Sequence, residues 1–144
     1  VGSMLALGAA LKTTNGAGYL AERLLELPFV DTPLALAVVL FIIVAITTNV
    51  LTNNACAILF TPIAMNLANE VGIDPMTLAI TVIFAANCSF ASPIGYQTNL
   101  LVMGPGHYRF GDFIKAGVPL ILILWVTYIF VAHYYFGLNG LWFK

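Results

Sequence analysis

Apolar positions run in blocks along this chain, and each block is cut short by a cluster of polar residues. Leu34 to Ile46 is apolar for 13 residues. As a helix that run is about 20 Å long and stops short of an approximately 30 Å hydrocarbon layer. Thr47, Thr48, Asn49, Thr52, Asn53 and Asn54 then arrive together, before apolar positions resume at Ala55 to Phe60 and, past Thr61-Pro62, at Ile63 to Leu67. One straight helix from Leu34 to Ala68 would measure about 50 Å, too long for a single crossing. The pattern predicts a re-entrant helical hairpin over 34–69, with its tip at Leu51 to Asn54.

The next block repeats the design. Met76 to Ala86 is apolar, Asn87 to Asn99 is rich in Asn, Ser, Pro, Gly, Gln and Thr, and Leu100 to Met103 is apolar again. This predicts a discontinuous transmembrane helix over 75–107, broken at Ser92-Pro93-Ile94-Gly95, its second half starting near Gly95. Unpaired backbone at membrane depth survives only where it is buried in protein or lines a cavity. After the Gly104-Pro105-Gly106 turn, a plain final span is expected over 116–137, with a tail at 138–144. Tyr128, Tyr134, Tyr135, Trp142 and Phe143 are placed as an interfacial aromatic belt. At the other end, Val1 to Leu11 is apolar and rich in small residues, as in tightly packed membrane helices. Ala17 to Leu27 sets Leu20, Leu24, Leu25 and Leu27 against Glu22, Arg23 and Glu26, the pattern of an amphipathic arm lying on a membrane surface.

Composition strengthens this picture: 61% of the residues are hydrophobic and 8% charged, where a soluble domain is roughly a quarter charged. No Asp, Glu, Lys or Arg lies in 32–69, 75–108 or 116–143. The expectation is an all-α, multi-pass integral membrane protein with the lipid bilayer as its surroundings. A net charge of −1 without a Lys/Arg cluster excludes nucleic acid as a partner. Cys56 and Cys88 sit in apolar segments without metal-site spacing and read as reduced, buried small residues. Parity of crossings puts Arg109 and Lys115 on the cytoplasmic side. The chain opens at Val1 without a basic, apolar and cleavable leader, so no signal peptide is expected, and it is read as beginning partway through a longer protein.

The polar clusters carry the chemistry. Sodium is a hard cation that prefers oxygen donors, and Thr hydroxyls, Asn carbonyls and freed backbone carbonyls supply them. Thr48 lies four residues before Thr52 and five before Asn53, so the first arm can present its end toward the tip. The break at Ala91 to Pro93 offers carbonyls of its own. An anion has no Lys or Arg to meet in either cluster, but the helix N-termini expected near Asn54 and Gly95 suit a carboxylate or sulfate. Proton-driven transport places Asp, Glu or His within the membrane. Both clusters lack them, so sodium coupling is preferred, with no other cofactor. His107 and His133 are read as interfacial or packing residues, and Asn66, Thr77 and Thr81 as packing contacts that hydrogen-bond across helices. No GxxxxGK[ST], GxSxG or HExxH pattern occurs, so no enzyme and no catalytic residue is expected.

Three stretches in order, T-N-V-L-T-N-N-A-C-A from Thr48, F-A-A-N-C-S-F-A-S-P-I-G-Y-Q-T-N-L-L-V-M-G-P-G from Phe84 and Y-R-F-G-D-F-I-K-A-G-V-P-L from Tyr108, resemble the C-terminal part of permeases in the divalent anion:sodium symporter family, within the ion transporter superfamily. The resemblance spans about Thr32 to Leu122. It implies one of two inverted repeats, so that the N-terminal repeat is a missing partner, and an elevator motion of a domain holding most of 34–103 against a dimeric scaffold in the bacterial inner membrane. Residues 1–33 would then be the end of a scaffold helix and an interfacial arm. The resemblance places sodium at Thr48, Asn53 and the carbonyls of Leu51 and Ala91, and substrate at Asn53, Asn54, Ser92 and Pro93. Thr replaces the family's Ser at 52, keeping a hydroxyl. Asn replaces its Thr at 54, so dicarboxylate specificity does not carry over, and a dicarboxylate, sulfate or related oxyanion all remain open. A sodium/proton antiporter or arsenite-type permease of the same superfamily, and a non-transporting membrane fragment, stand as alternatives.

Overall fold

The first three helices of the described residues begin where a side chain or a proline can meet the unpaired N–H groups. In the computed structural model, which describes residues 32–134 continuously together with scattered positions between Ala6 and Glu26, α1 spans Pro33–Thr47. The Thr32 hydroxyl accepts from the Ala35 N–H at 3.1 Å, and Pro33 has no N–H to satisfy. Helix α2 spans Asn53–Val71, with Thr52 as its cap, and ends at Gly72 in the left-handed conformation, φ 75°. The Ile73 N–H then returns to the Ala68 carbonyl at 3.0 Å, a Schellman closure. Asp74 caps α3, Pro75–Ala86, through the Met76 N–H. Helix α4 is short, Gln97–Met103. Helix α5 runs Phe110–Tyr134 for 25 residues, about 38 Å at the usual rise and enough to cross a bilayer core. The described residues contain helices and no strands, and α5 is the one helix among them long and apolar enough to span.

Helix α3 packs against both α1 and α2, and α5 lies along α1. The core between them takes Leu36, Leu40, Phe41 and Val44 from α1, Ile63 and Leu67 from α2, and Leu78 and Val82 from α3. Cys56 and Cys88 are free thiols buried within this cluster, as the sequence predicts.

Three expectations shift. The non-helical tip between α1 and α2 is Thr48 to Thr52 rather than Leu51 to Asn54, because the Thr52 hydroxyl caps α2 and draws Asn53 and Asn54 into its first turn. The second half of the broken helix starts at Gln97, not near Gly95. Tyr128 is not a belt residue: it is 6% exposed, stacks on Phe41 with ring centroids 4.7 Å apart, and meets the Thr81 hydroxyl at 2.6 Å. Thr81 thereby makes the cross-helix contact expected of it. The expected terminal arm, the C-terminal tail, Tyr135, Trp142 and Phe143 lie outside the described residues, apart from isolated positions of the arm. There Arg23 pairs with Glu26 at 2.7 Å on the exposed surface. Because Thr81 keeps a bond to the Thr77 carbonyl at 2.9 Å, Tyr128→Phe leaves no orphaned group. It is expected to lower stability by only about 0.6 kcal/mol, the usual worth of such a bond in a membrane bundle, measured by denaturant titration in micelles.

Candidate functional site

Helix α1 ends where its polar residues begin, and the end of α3 is brought against it. Thr48 is 0% exposed. Its hydroxyl lies 2.7 Å from the Ala86 carbonyl, at the last residue of α3, and 3.0 Å from Asn53 Oδ1, in the first turn of α2. One buried hydroxyl thus joins α1, α2 and α3. A hydroxyl has one proton to give. If Ala86 takes it, the Asn53 contact sets two oxygens face to face. Two arrangements resolve that conflict: an Asn53 amide turned to donate its N–H, or a cation bridging the oxygens.

The adjacent Asn49 reaches the unwound stretch between α3 and α4. Its Nδ2 donates to the Ala45 carbonyl at 2.6 Å and the Cys88 carbonyl at 3.2 Å, while its Oδ1 accepts from the Ala91 N–H at 2.9 Å. From the other side, Asn99 Nδ2 donates to the carbonyls of Ser89 at 2.8 Å and Ser92 at 3.1 Å. Backbone freed by the break is therefore paired by side-chain amides, the accounting that buried polar groups demand. Ser92, 6% exposed, turns its hydroxyl to accept from the Ile94 N–H at 3.1 Å.

Two glycines allow the close approach. A Cβ on Gly95 would fall inside the van der Waals shell of the Thr48 carbonyl oxygen and 3.2 Å from the Asn49 Cα. On Gly117, in α5, it would strike the Phe90 carbonyl. The break is gripped between the tip of α1 and the final helix.

Of the residues expected at the site, Thr48 and Asn53 touch directly. Ala91 and Ser92 are tied in through Asn49 and Asn99, and Pro93 is buried beside them. Leu51, 41% exposed, and Asn54 lie on the open side of the tip. Sequence reasoning missed the Ala86 carbonyl, Gly117, the close packing of Gly95 on Thr48, and the roles of Asn49 and Asn99. Both asparagines stand within the polar clusters, but no spacing rule marks them out. A cavity of about 360 Å³ opens beside the junction between α1 and α5, where Phe41, Ile121 and Trp125 join Asn49 and Ala91. That apolar lining suits neither a bare cation nor an oxyanion, so the polar junction, not the cavity, is the candidate site.

A helical chain whose interrupted segments meet at a buried polar junction has the form of a membrane transport unit. The chain belongs to the citrate transporter family, whose match covers residues 1–140, in keeping with its resemblance to divalent anion:sodium symporters. It is 40% identical over 121 residues to an uncharacterized transporter of Synechocystis sp., covering 84% of this chain and 20% of that protein. It is 29% identical over 133 residues to the sodium-dependent dicarboxylate transporter SdcS of Staphylococcus saprophyticus, covering 92% of this chain and 25% of that protein. With the probable sodium/sulfate cotransporter 3 of Chlamydomonas reinhardtii the identity is 28% over 137 residues, 93% of this chain and 15% of that protein. The chain thus spans about a fifth of the length of these relatives.

Proposed function

We propose that this chain is the C-terminal repeat of a secondary transporter that carries a small anion, a carboxylate or sulfate-like oxyanion, together with sodium. The observation that carries the reading is the meeting of Thr48, Asn53 and the Ala86 carbonyl at one buried point, beside the break that holds Ala91. Oxygen donors without a formal charge, gathered where a helix tip meets unwound backbone, are what a sodium ion needs at membrane depth. The relatives that couple sulfate or dicarboxylate to sodium support the choice of ion.

The anion is assigned to the N-terminus of α2, where Asn53 and Asn54 begin a helix of 19 residues whose unpaired N–H groups point toward the tip. Helix α4, with 7 residues, offers a weaker dipole, so Ser92 and Pro93 shape the substrate side rather than charge it. Leu51 and Ala91 complete the sodium shell through their carbonyls. In this reading α1 and α2 are a re-entrant hairpin, and α3 with α4 is one interrupted crossing. The whole moves as part of an elevator domain in a homodimer of the bacterial inner membrane, with an N-terminal repeat supplying the other half of the site.

The test is anion uptake into proteoliposomes by the full-length protein, with a panel of sulfate, dicarboxylates and citrate. Uptake is expected to follow an inward sodium gradient and to fall at least about tenfold in Asn53→Ala, the scale of losing one group from an ion site. Uptake indifferent to both sodium and that substitution overturns the proposal.

A further inference from the structure

Asn49 is not among the sodium or substrate ligands proposed above, yet its side chain makes three hydrogen bonds, to Ala45, Cys88 and Ala91. Its amide spans the Cys88 carbonyl and the Ala91 N–H, the two groups that flank the turn at Ser89 and Phe90. The asparagine braces that turn, accepting at one end and donating at the other. The same Nδ2 also ties back to Ala45, one turn earlier on α1. The turn at the start of the break is therefore braced by a side chain from a segment about forty residues away, next in sequence to Thr48.

We infer that Asn49 is a positioning residue of the sodium site: it sets the backbone entering Ala91 and locks it in register with Thr48 and Asn53. The inference rests on the sodium reading above, and goes beyond it by naming the group that holds the two halves of the ion shell at a fixed separation. Three observations make the coupling specific. The Ala91 N–H has Asn49 as its partner, so the Phe90–Ala91 peptide plane follows the tip. That same peptide is backed by Gly117 with no room for a methyl group, so it cannot retreat toward α5. Gly95 brings the later part of the break onto the Thr48 carbonyl and the Asn49 Cα, closing the loop on the residue that opens it. Asn99 pairs with Ser89 and Ser92 from within its own segment. It stabilises the break but does not register it against the tip.

Both ends of the amide are needed, which makes Asn49→Asp the informative change. Aspartate matches the shape and keeps an acceptor for the Ala91 N–H, but it cannot donate to Cys88 or Ala45 and sets a carboxylate against their carbonyl oxygens. Asn49→Gln keeps both ends and misplaces them by a methylene.

Anion uptake by the full-length protein is measured in proteoliposomes across a sodium titration, alongside sodium-dependent thermal stabilisation of the purified protein in detergent. In Asn49→Asp the sodium concentration for half-maximal uptake is expected to rise about tenfold, with the same displacement in the thermal titration. Maximal rate and anion KM at saturating sodium stay within about threefold of the parent, a smaller change than the one carried by sodium. If Asn49→Asp does not yield folded protein, Asn49→Gln carries the test, with an expected rise of about threefold or more, the misplacement leaving part of the effect. A folded variant with unchanged sodium dependence overturns the inference. So does a loss of maximal rate without a sodium shift, since a merely structural role produces that result. Failure of the parent protein to respond to sodium refutes the proposed function instead, and the two failures are told apart by the unmutated control.

Discussion

Gly95→Ala is expected to remove sodium-dependent uptake almost completely, although it adds a single methyl group. The new Cβ would overlap the Thr48 carbonyl oxygen and crowd the Asn49 Cα and the Ser89 Cβ, each 3.2 Å away. The nearest atom is backbone, so no flexible side chain can yield. Either the tip or the break must move, and each is tied to the other by Asn49. Overpacking of this kind costs about 1–3 kcal/mol in a well-packed interior. Here the displacement falls on the oxygens of the proposed ion shell, so transport is lost before the fold is. The measurement is paired: unfolding of the purified protein and uptake in proteoliposomes. Wild-type uptake in Gly95→Ala would mean that the tip and the break do not need their close approach.

Thr48→Val is expected to give the second largest effect. Valine keeps the shape of threonine and loses the hydroxyl that binds the Ala86 carbonyl and faces Asn53. The Ala86 oxygen, at the end of α3, is left without that partner in a fully buried place, a loss worth about 1–3 kcal/mol. If the hydroxyl is also a sodium ligand, apparent sodium affinity falls by about tenfold or more in the same variant. Thr48→Ser separates the two effects. It retains the oxygen and gives up only a methyl group, so sodium dependence is expected to stay near the parent's while stability drops slightly. Equal losses of sodium affinity in Val and Ser variants would show that the methyl packing, not the oxygen, matters at this position.

The helical blocks were legible because their ends carry local chemistry. Thr32 before Pro33, Asp74 before Pro75 and Gly72 after Val71 are stop and start signals whose effect needs no tertiary neighbour. The sequence pattern sets the tip two or three residues late because Thr52, Asn53 and Asn54 are all good N-caps, and hydrophobic spacing cannot choose among them. Gly95 drew the expected start of α4 toward itself, whereas its absent side chain serves a contact with Thr48. The sequence pattern points Tyr128 to a membrane-surface belt because a tyrosine near the end of a span has that default. Only the presence of Phe41 and Thr81 beside it, from two other helices, makes it a core residue.

The polar junction was legible in part. Thr48 and Asn53 stood out because they interrupt a charge-free block, and their mutual contact follows from a short tip. Asn49 and Asn99 were indistinguishable from their polar neighbours, since what sets them apart is which carbonyl each one meets. Such pairings between residues 7 to 42 positions apart leave no periodic trace in a single sequence.

The amide-lined break has a thermodynamic consequence. Fixing a residue's backbone costs about 1–2 kcal/mol in conformational entropy. Because Asn49 and Asn99 hold the backbone from Cys88 to Ser92 with protein groups alone, that ordering is completed when the chain folds. On the proposed reading, an ion arriving there meets carbonyls already arranged. In the transporter proposed here, its binding free energy would then bias the equilibrium between conformations rather than being consumed in organising a loop.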